Sequence, residues 1–380
     1  MPLAAIVAAT VLAHAAFNGC RLSISLDALS LGASTLTVGS MMSILAALPM
    51  LLGVPAGRMV DRIGVRMPLL ASVAGVGASV VLPGAFPGIA ALYVAAACVG
   101  TSFMLFHISV QHAVGEGSAE GERKANFGWL ALGFSISNFF GPTIAGLSID
   151  HFGFRATFVL VSTFALASFA LLATRRAALS HRPHGRAKRV EGNTFDLLRD
   201  PELRRVFLVT GLLASAWDLF VFVMPIYGTS IGLSASTIGF ILGSFAAATF
   251  VVRLILPWLS RHLREWSMIT ATFAIAAPAY ALFPAMETVP FLAANAFLLG
   301  LGLGATQPSI MALLYAKAPA GRAGEAVGVR SVVLNTSSTV LPFLFGGLGA
   351  AVGVAPVFLT MSGALAAGGF FAHRRKRAER

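Results

Sequence analysis

Residues 57–66 read GRMVDRIGVR, with Gly57, Arg58, Asp61, Arg62, Gly64 and Arg66 crowded together. An apolar run lies on each side, 35–56 before and 67–85 after. A helix needs about 20 apolar residues to cross the hydrocarbon core of a bilayer. The charged knot therefore reads as a short connection between two membrane spans, kept out of the lipid.

Composition carries that reading to the whole chain. Of 380 residues, 57% are hydrophobic and 11% charged, with a mean hydropathy of +0.83. Soluble domains average about 25% charged residues, so this chain has too little polar surface to cover a water-facing globule. The net charge of +12 raises nucleic acid as a partner. Placement excludes it, because the basic residues sit in short loops and tails and form no basic face. Cys20 and Cys98 both lie in apolar runs at no metal or redox spacing, and read as buried packing thiols. The first apolar run lacks a charged n-region and is too long for a signal peptide, so it reads as a retained first span.

Twelve spans follow, near 4–26, 35–56, 67–85, 88–113, 125–147, 153–174, 205–228, 236–259, 267–285, 289–315, 323–348 and 353–373. If they alternate across the membrane, all of the 27 lysines and arginines except Arg21, Arg155, Arg253 and Arg330 fall in loops on one side. The positive-inside rule makes that side the cytoplasm and places both termini there. The fold class is an all-α membrane protein of two six-helix bundles, 1–174 and 205–373. A basic cytoplasmic linker, 175–204, joins them, and a basic tail follows at 374–380. The sparse loops point to a bacterial inner membrane.

The halves repeat at a fixed offset of 200. LGASTLTVG at 31–39 meets IGLSASTIG at 231–239. Gly128 meets Gly328, Pro142 meets Pro342, Gly146 meets Gly346, Gly153 meets Gly353 and Phe158 meets Phe358. One register held from the first loop to the last span implies duplication, and halves that meet around a central site are a common secondary-transporter plan.

The stretch Gly57-x-x-x-Asp61-Arg62-x-Gly64-x-Arg66 resembles the signature loop between helices 2 and 3 of the major facilitator superfamily, with Val65 in place of one basic residue. The resemblance covers the whole chain and extends to drug/proton-antiporter-like and sugar-efflux-like permeases. It implies an inner gate, with Asp61 against the start of the eleventh span, where the helix dipole favours an anion, and Arg330 as an ion-pair partner. The alternative is that the loop only sets topology and turn geometry. In either case Gly57 and Gly64 are expected to serve a tight turn. The second-half equivalent, around Ser260 and Arg261, has lost the acid.

Gly141-Pro142-Thr-Ile-Ala-Gly146 in the fifth span resembles the Gly-Pro motif that the family associates with antiporters, and ordinary close packing is its alternative. The fourth span departs from the drug/proton pattern, offering His107, Gln111 and His112 where that pattern has an arginine. Asp150 and Arg155 match the family's corner between helices 5 and 6, read as a loop-bracing pair.

Ionisable residues inside spans are costly and mark function by default. Asp218 is the one acid placed mid-span, in the seventh. The resemblance puts spans one, four, seven and ten around the cavity. His14, Asn18 and Arg21 share one face of the first span, His107 and Gln111 one of the fourth, and Asn295 and Thr306 one of the tenth. With Trp217 and Gln307 they form the expected substrate cavity. Asp218 is the expected proton-coupling group, with His14 and His107 as alternatives; a permanent pair with Arg21 would remove Asp218 from that role. Arg253 is expected to snorkel to the cytoplasmic interface.

The expected function is a proton-coupled secondary transporter exporting a small organic molecule. Uptake of a small organic anion is the alternative, and a non-transporting receptor or scaffold comes after both. An enzyme is not expected: no catalytic set, metal-ligand set, cofactor motif or nucleotide-binding loop appears. The expected partners are the substrate, protons and the lipid bilayer, with no nucleic acid, and the chain is expected to be a monomer.

Overall fold

The computed structural model describes residues 3–118, 123–174, 194–319 and 323–378. Its helices are α1 (Leu3–Ser30), α2 (Thr35–Ile63), α3 (Arg66–Ala85), α4 (Ile89–Gly117), α5 (Arg123–Thr174), α6 (Thr194–Arg199), α7 (Pro201–Ser230), α8 (Ala235–His262), α9 (Glu265–Leu282), α10 (Val289–Gly304), α11 (Thr306–Lys317), α12 (Ala323–Val352) and α13 (Val354–Ala378). A helix satisfies its own backbone hydrogen bonds, which lipid cannot do for it.

Among the described residues, eleven segments are long and apolar enough to cross a membrane. One of them, Asn126–Thr174, has 49 residues, over twice the about 20 that one crossing takes. It is broken at Gly153, where φ is 77° and ψ 174°. It is therefore two spans, and the total is twelve. The tenth span departs from the single helix expected over 289–315. It stops at Gly304 and restarts at Thr306, because Pro308 has no N–H to donate to the Gly304 carbonyl. A short extra helix, α6, forms within 175–204, whose residues 175–193 lie outside the described residues, as do Arg322 and Arg380.

The chain divides into two compact units, Met1–His184 with Met224–Gly243, and Gly185–Val223 with Ser244–Arg380. The end of α7, the start of α8 and the turn between them thus group with the first unit. Two observations account for this. Asp150 accepts hydrogen bonds from the backbone N–H groups of Ala235 (3.0 Å) and Ser236 (2.8 Å), and from the Ser236 hydroxyl. This is an N-terminal helix site, where an anion is favoured. Glycines then let helices meet along the fifth span. A side chain on Gly239 would come within 2.5 Å of the Pro142 carbonyl oxygen, and one on Gly243 within 2.7 Å of the Thr143 hydroxyl. The expected Asp150–Arg155 brace is thus corrected: the carboxylate's hydrogen bonds run to α8, whose unpaired amides are its better partners.

The turns at the two repeats match in detail. Gly32 and Gly232 have φ of 77° and 78°. Ala33 N donates to Ala28 O at 2.9 Å, and Leu233 N to Gly228 O at 2.9 Å. Ser34 accepts from Thr37 N, as Ser234 does from Thr237 N.

Two other expectations are corrected. Gly57 lies inside α2 with open space around it, so neither turn geometry nor close approach requires glycine there; Gly64, with φ 81°, makes the turn alone. Cys20 is buried but Cys98 is exposed, because its face of α4 points out of the bundle, where lipid accepts an apolar thiol.

Candidate functional site

In the second unit a cavity of about 270 Å³ is lined by residues of α7, α8, α10, α11 and α12. Asp218 and Trp217 enter it from α7, Arg253 from α8, Thr306 and Gln307 from α11, and Arg330 and Ser338 from α12. Ser338 donates a hydrogen bond to the Asp218 carboxylate. The indole of Trp217 stands edge-on to Phe245 with ring centroids 4.7 Å apart. Arg330 is only 8% exposed, and its Nε is buried without a hydrogen-bond partner.

The lining thus carries two guanidinium groups and one carboxylate. Charges within a bundle persist when they face one another or a water-filled cavity, and here all three groups line one cavity. The arrangement offers a group able to exchange a proton beside two that attract an anion.

The break between α10 and α11 separates two residues expected to share a face. Thr306 and Gln307 line the cavity. Asn295 instead is buried and donates to the Ala279 carbonyl of α9 at 2.9 Å. Arg253 lines the cavity as well, where snorkelling to the interface was expected. It lies on the face of α8 that looks into the unit. Arg330 was expected beside Asp61; its place in the second unit is the cavity wall.

The first unit carries His14, Asn18, His107 and Gln111 of the other predicted cavity residues in polar contacts. His14 Nδ1 lies 2.5 Å from Ser137 Oγ, and Asn18 Nδ2 donates to Asn138 Oδ1 at 2.9 Å. Asn18 Nδ2 is also 3.2 Å from His14 Nε2, and Gln111 Nε2 is 3.2 Å from His107 Nε2. Aromatic rings surround this network. Phe17 stacks on Phe103 at 4.2 Å, and Phe134 flanks both His14 (4.9 Å) and His107 (5.3 Å). Arg21 is half-buried on the same helix as His14 and Asn18.

The remaining predicted residues are placed as follows. Gly57, Asp61 and Arg62 lie in the last turns of α2, Gly64 caps it and Arg66 opens α3. Gly141 packs on α1, where a side chain would come within 2.9 Å of the Ala15 carbonyl oxygen. Pro142 and Gly146 face α8. The Gly-Pro segment thus works as a packing surface against two helices.

Sequence reasoning missed Ser137, Asn138 and Ser338, which hold the predicted groups in place. The signal was present. At an offset of 200, Asn138 pairs with Ser338 as Asn18 pairs with Asp218, so the partners of a repeated pair are themselves a repeated pair. The aromatic rings around His14 and His107 carried no such signal among so many phenylalanines.

A family model described as Major Facilitator Superfamily matches residues 6–329 and again 206–380. The chain is 24% identical over 307 residues to the uncharacterized MFS-type transporter YuxJ of Bacillus subtilis (strain 168), covering 77% of this chain and 76% of that one. It is 25% identical over 300 residues to the tetracycline resistance protein, class D, of Salmonella ordonez, covering 76% and 74%. Among solved structures, the peptide transporter POT in complex with sulfate aligns with a TM-score of 0.83 at 14% identity, over 99% of this chain and 94% of its own. A POT family transporter in complex with 5-aminolevulinic acid aligns with a TM-score of 0.81 at 13% identity, over 97% and 94%. At those identities the structural likeness speaks for the fold alone, whereas the family match runs the length of the chain. The chain belongs to the major facilitator superfamily, a family of membrane transporters.

Proposed function

We propose that the chain is a proton-coupled exporter of a small organic molecule, working by alternating access with Asp218 as the coupling acid. The observation that carries this reading is the position of Asp218. It lies in the middle of α7, on the wall of a cavity, held by Ser338 and facing a lining that contains Arg253 and Arg330. Protonation changes the charge of that lining by one unit, and a charge inside a membrane protein biases which side it opens to. Export is supported by the tetracycline resistance proteins among the relatives, since removal of a drug from the cell is one route to resistance. The Gly-Pro segment of the fifth span is consistent with it.

The transporter is assigned to a bacterial inner membrane as a monomer, with both termini cytoplasmic. It has halves at 1–174 and 205–373, a linker at 175–204 and a basic tail at 374–380. The turn at 57–66 serves as the gate on the cytoplasmic side. Uptake of a small organic anion is the second reading, and Arg253 and Arg330 in one cavity favour it, because guanidinium groups bind carboxylates in paired geometry.

The test is transport in proteoliposomes under an imposed proton gradient, with a pooled panel of drugs and organic anions, comparing wild type with Asp218→Asn. Gradient-driven flux in wild type, with exchange alone surviving in the variant, supports the assignment. Coupling unchanged in the variant overturns it and moves the role to His14 or His107. The direction of flux relative to protons separates export from uptake.

A further inference from the structure

A second opening in the second unit lies away from the Asp218 cavity, where the start of α7, the start of α9 and the end of α13 meet. It is a groove of about 650 Å³. Leu208, Leu212, Phe273 and Phe371 form apolar walls, and Arg205 and Arg374 also line it. Leu208 and Phe371 are 67% and 68% exposed, as suits side chains that face lipid.

The groove has a polar end. From Arg205 to Leu212, α7 advances about 10 Å at the helical rise of about 1.5 Å per residue, so the walls reach from the span's boundary into the hydrocarbon. At that boundary Arg205 donates to Glu202 at 2.8 Å, Lys317 lies 3.6 Å from the same carboxylate, and the Arg374 guanidinium is 4.6 Å from the Phe370 ring centroid. Arg205 and Lys317 thus share one carboxylate, and Arg374 is a further cation lining the groove, which leaves a local surplus of positive charge. Trp266 adds an independent sign. It lines the groove and is only 4% exposed, yet its indole Nε1 is buried with no hydrogen-bond partner. A buried donor without an acceptor is costly, and an ester or phosphate oxygen would supply one.

We propose that this groove binds an anionic phospholipid, with an acyl chain along Leu208, Leu212, Phe273 and Phe371 and the phosphate at Arg205 and Arg374. A free phosphate would leave the apolar walls uncovered. A zwitterionic lipid would leave the surplus positive charge unbalanced. The site requires only that the chain sits in a membrane, and it stands apart from the transported substrate and its direction.

The test is native mass spectrometry of the full-length protein released from detergent and titrated with phosphatidylglycerol or with phosphatidylcholine of the same chains. Wild type is expected to retain phosphatidylglycerol in preference. Arg205→Gln and Arg374→Gln are each expected to reduce that preference about fivefold, the scale of one basic residue at an anionic lipid surface. Leu208→Trp, on a lipid-facing position that does not threaten folding, is expected to lower retention of both lipids by narrowing the groove. Equal retention of the two lipids by wild type means bulk lipid contact only and overturns the proposal. So does an unchanged preference in the Arg205→Gln/Arg374→Gln double variant with a monodisperse elution profile. Transport that persists after the lipid preference is lost would leave the transport reading standing.

Discussion

Asn18 and Asn138 in the first half occupy the repeat positions of Asp218 and Ser338 in the second. Each pair bridges the first and fifth spans of its half by one hydrogen bond. Asn18 donates to Asn138 at 2.9 Å, and Ser338 donates to Asp218. The bridge stands at equivalent positions in both halves, but only the second contains an ionisable group. Asn18 also lies 3.2 Å from His14, which is itself bonded to Ser137. Around Asp218 the cavity supplies Arg253 and Arg330. An amide pair inside a membrane is satisfied by hydrogen bonds alone, whereas a carboxylate also calls for cations or water. The comparison teaches that one repeated helix-to-helix hydrogen bond is made by two amides in the first half and by a hydroxyl and a carboxylate in the second, where two arginines line the same cavity.

The strongest way to break this asymmetry is Asp218→Asn, which makes the two bridges chemically alike. Gradient-driven accumulation in proteoliposomes is expected to fall to the level of passive exchange, while counterflow persists. Accumulation at the wild-type level would remove the functional meaning of the asymmetry.

Next in size is a contrast between glycines. Gly239→Ala places a Cβ 2.5 Å from the Pro142 carbonyl oxygen and is expected to cost about 1–3 kcal/mol by overpacking. Gly328→Ala meets open space and is expected to leave the thermal midpoint in detergent unchanged or slightly raised, since alanine favours helix. Equal midpoints for the two variants would remove the fifth-span packing surface from the account.

Asp150→Ala tests the one-sided cap. The repeat partner of Asp150 is Ala350, so this carboxylate has no counterpart in the second half. Its loss is expected to cost about 1 kcal/mol, the usual scale for a helix cap, read as a lowered thermal midpoint that high salt does not restore. Smallest is Asn138→Ala, which removes the neutral bridge. Polar contacts between membrane helices average about 0.6 kcal/mol, so a small midpoint shift with normal proton coupling is expected. A coupling defect as large as that of Asp218→Asn would show that the first half shares the proton role.

The twelve spans, the repeat and the turn at Gly64 were legible because each rests on local pattern: apolar length, a fixed offset and one glycine angle. The same holds for Asp218, since a lone acid in a long apolar run stands out. Asn295 was not legible. Its spacing placed it on the cavity face with Thr306, but Pro308 broke the helix between them and the amide turned to the Ala279 carbonyl. Asp150 was read beside Arg155, its neighbour in sequence, and its hydrogen bonds run to backbone amides 85 and 86 residues away.

By itself the amino-acid order determined that the chain crosses a membrane many times in two duplicated halves, because hydrophobic length and charge placement act through the solvent and need no partner in space. Tertiary structure alone decided that Arg253, Arg330 and Asp218 share one cavity and that Ser338 holds the acid. The reason is that those residues lie on three separate helices, and the rotation of each helix about its axis follows from which small residues pack against which neighbours, information that no single span contains.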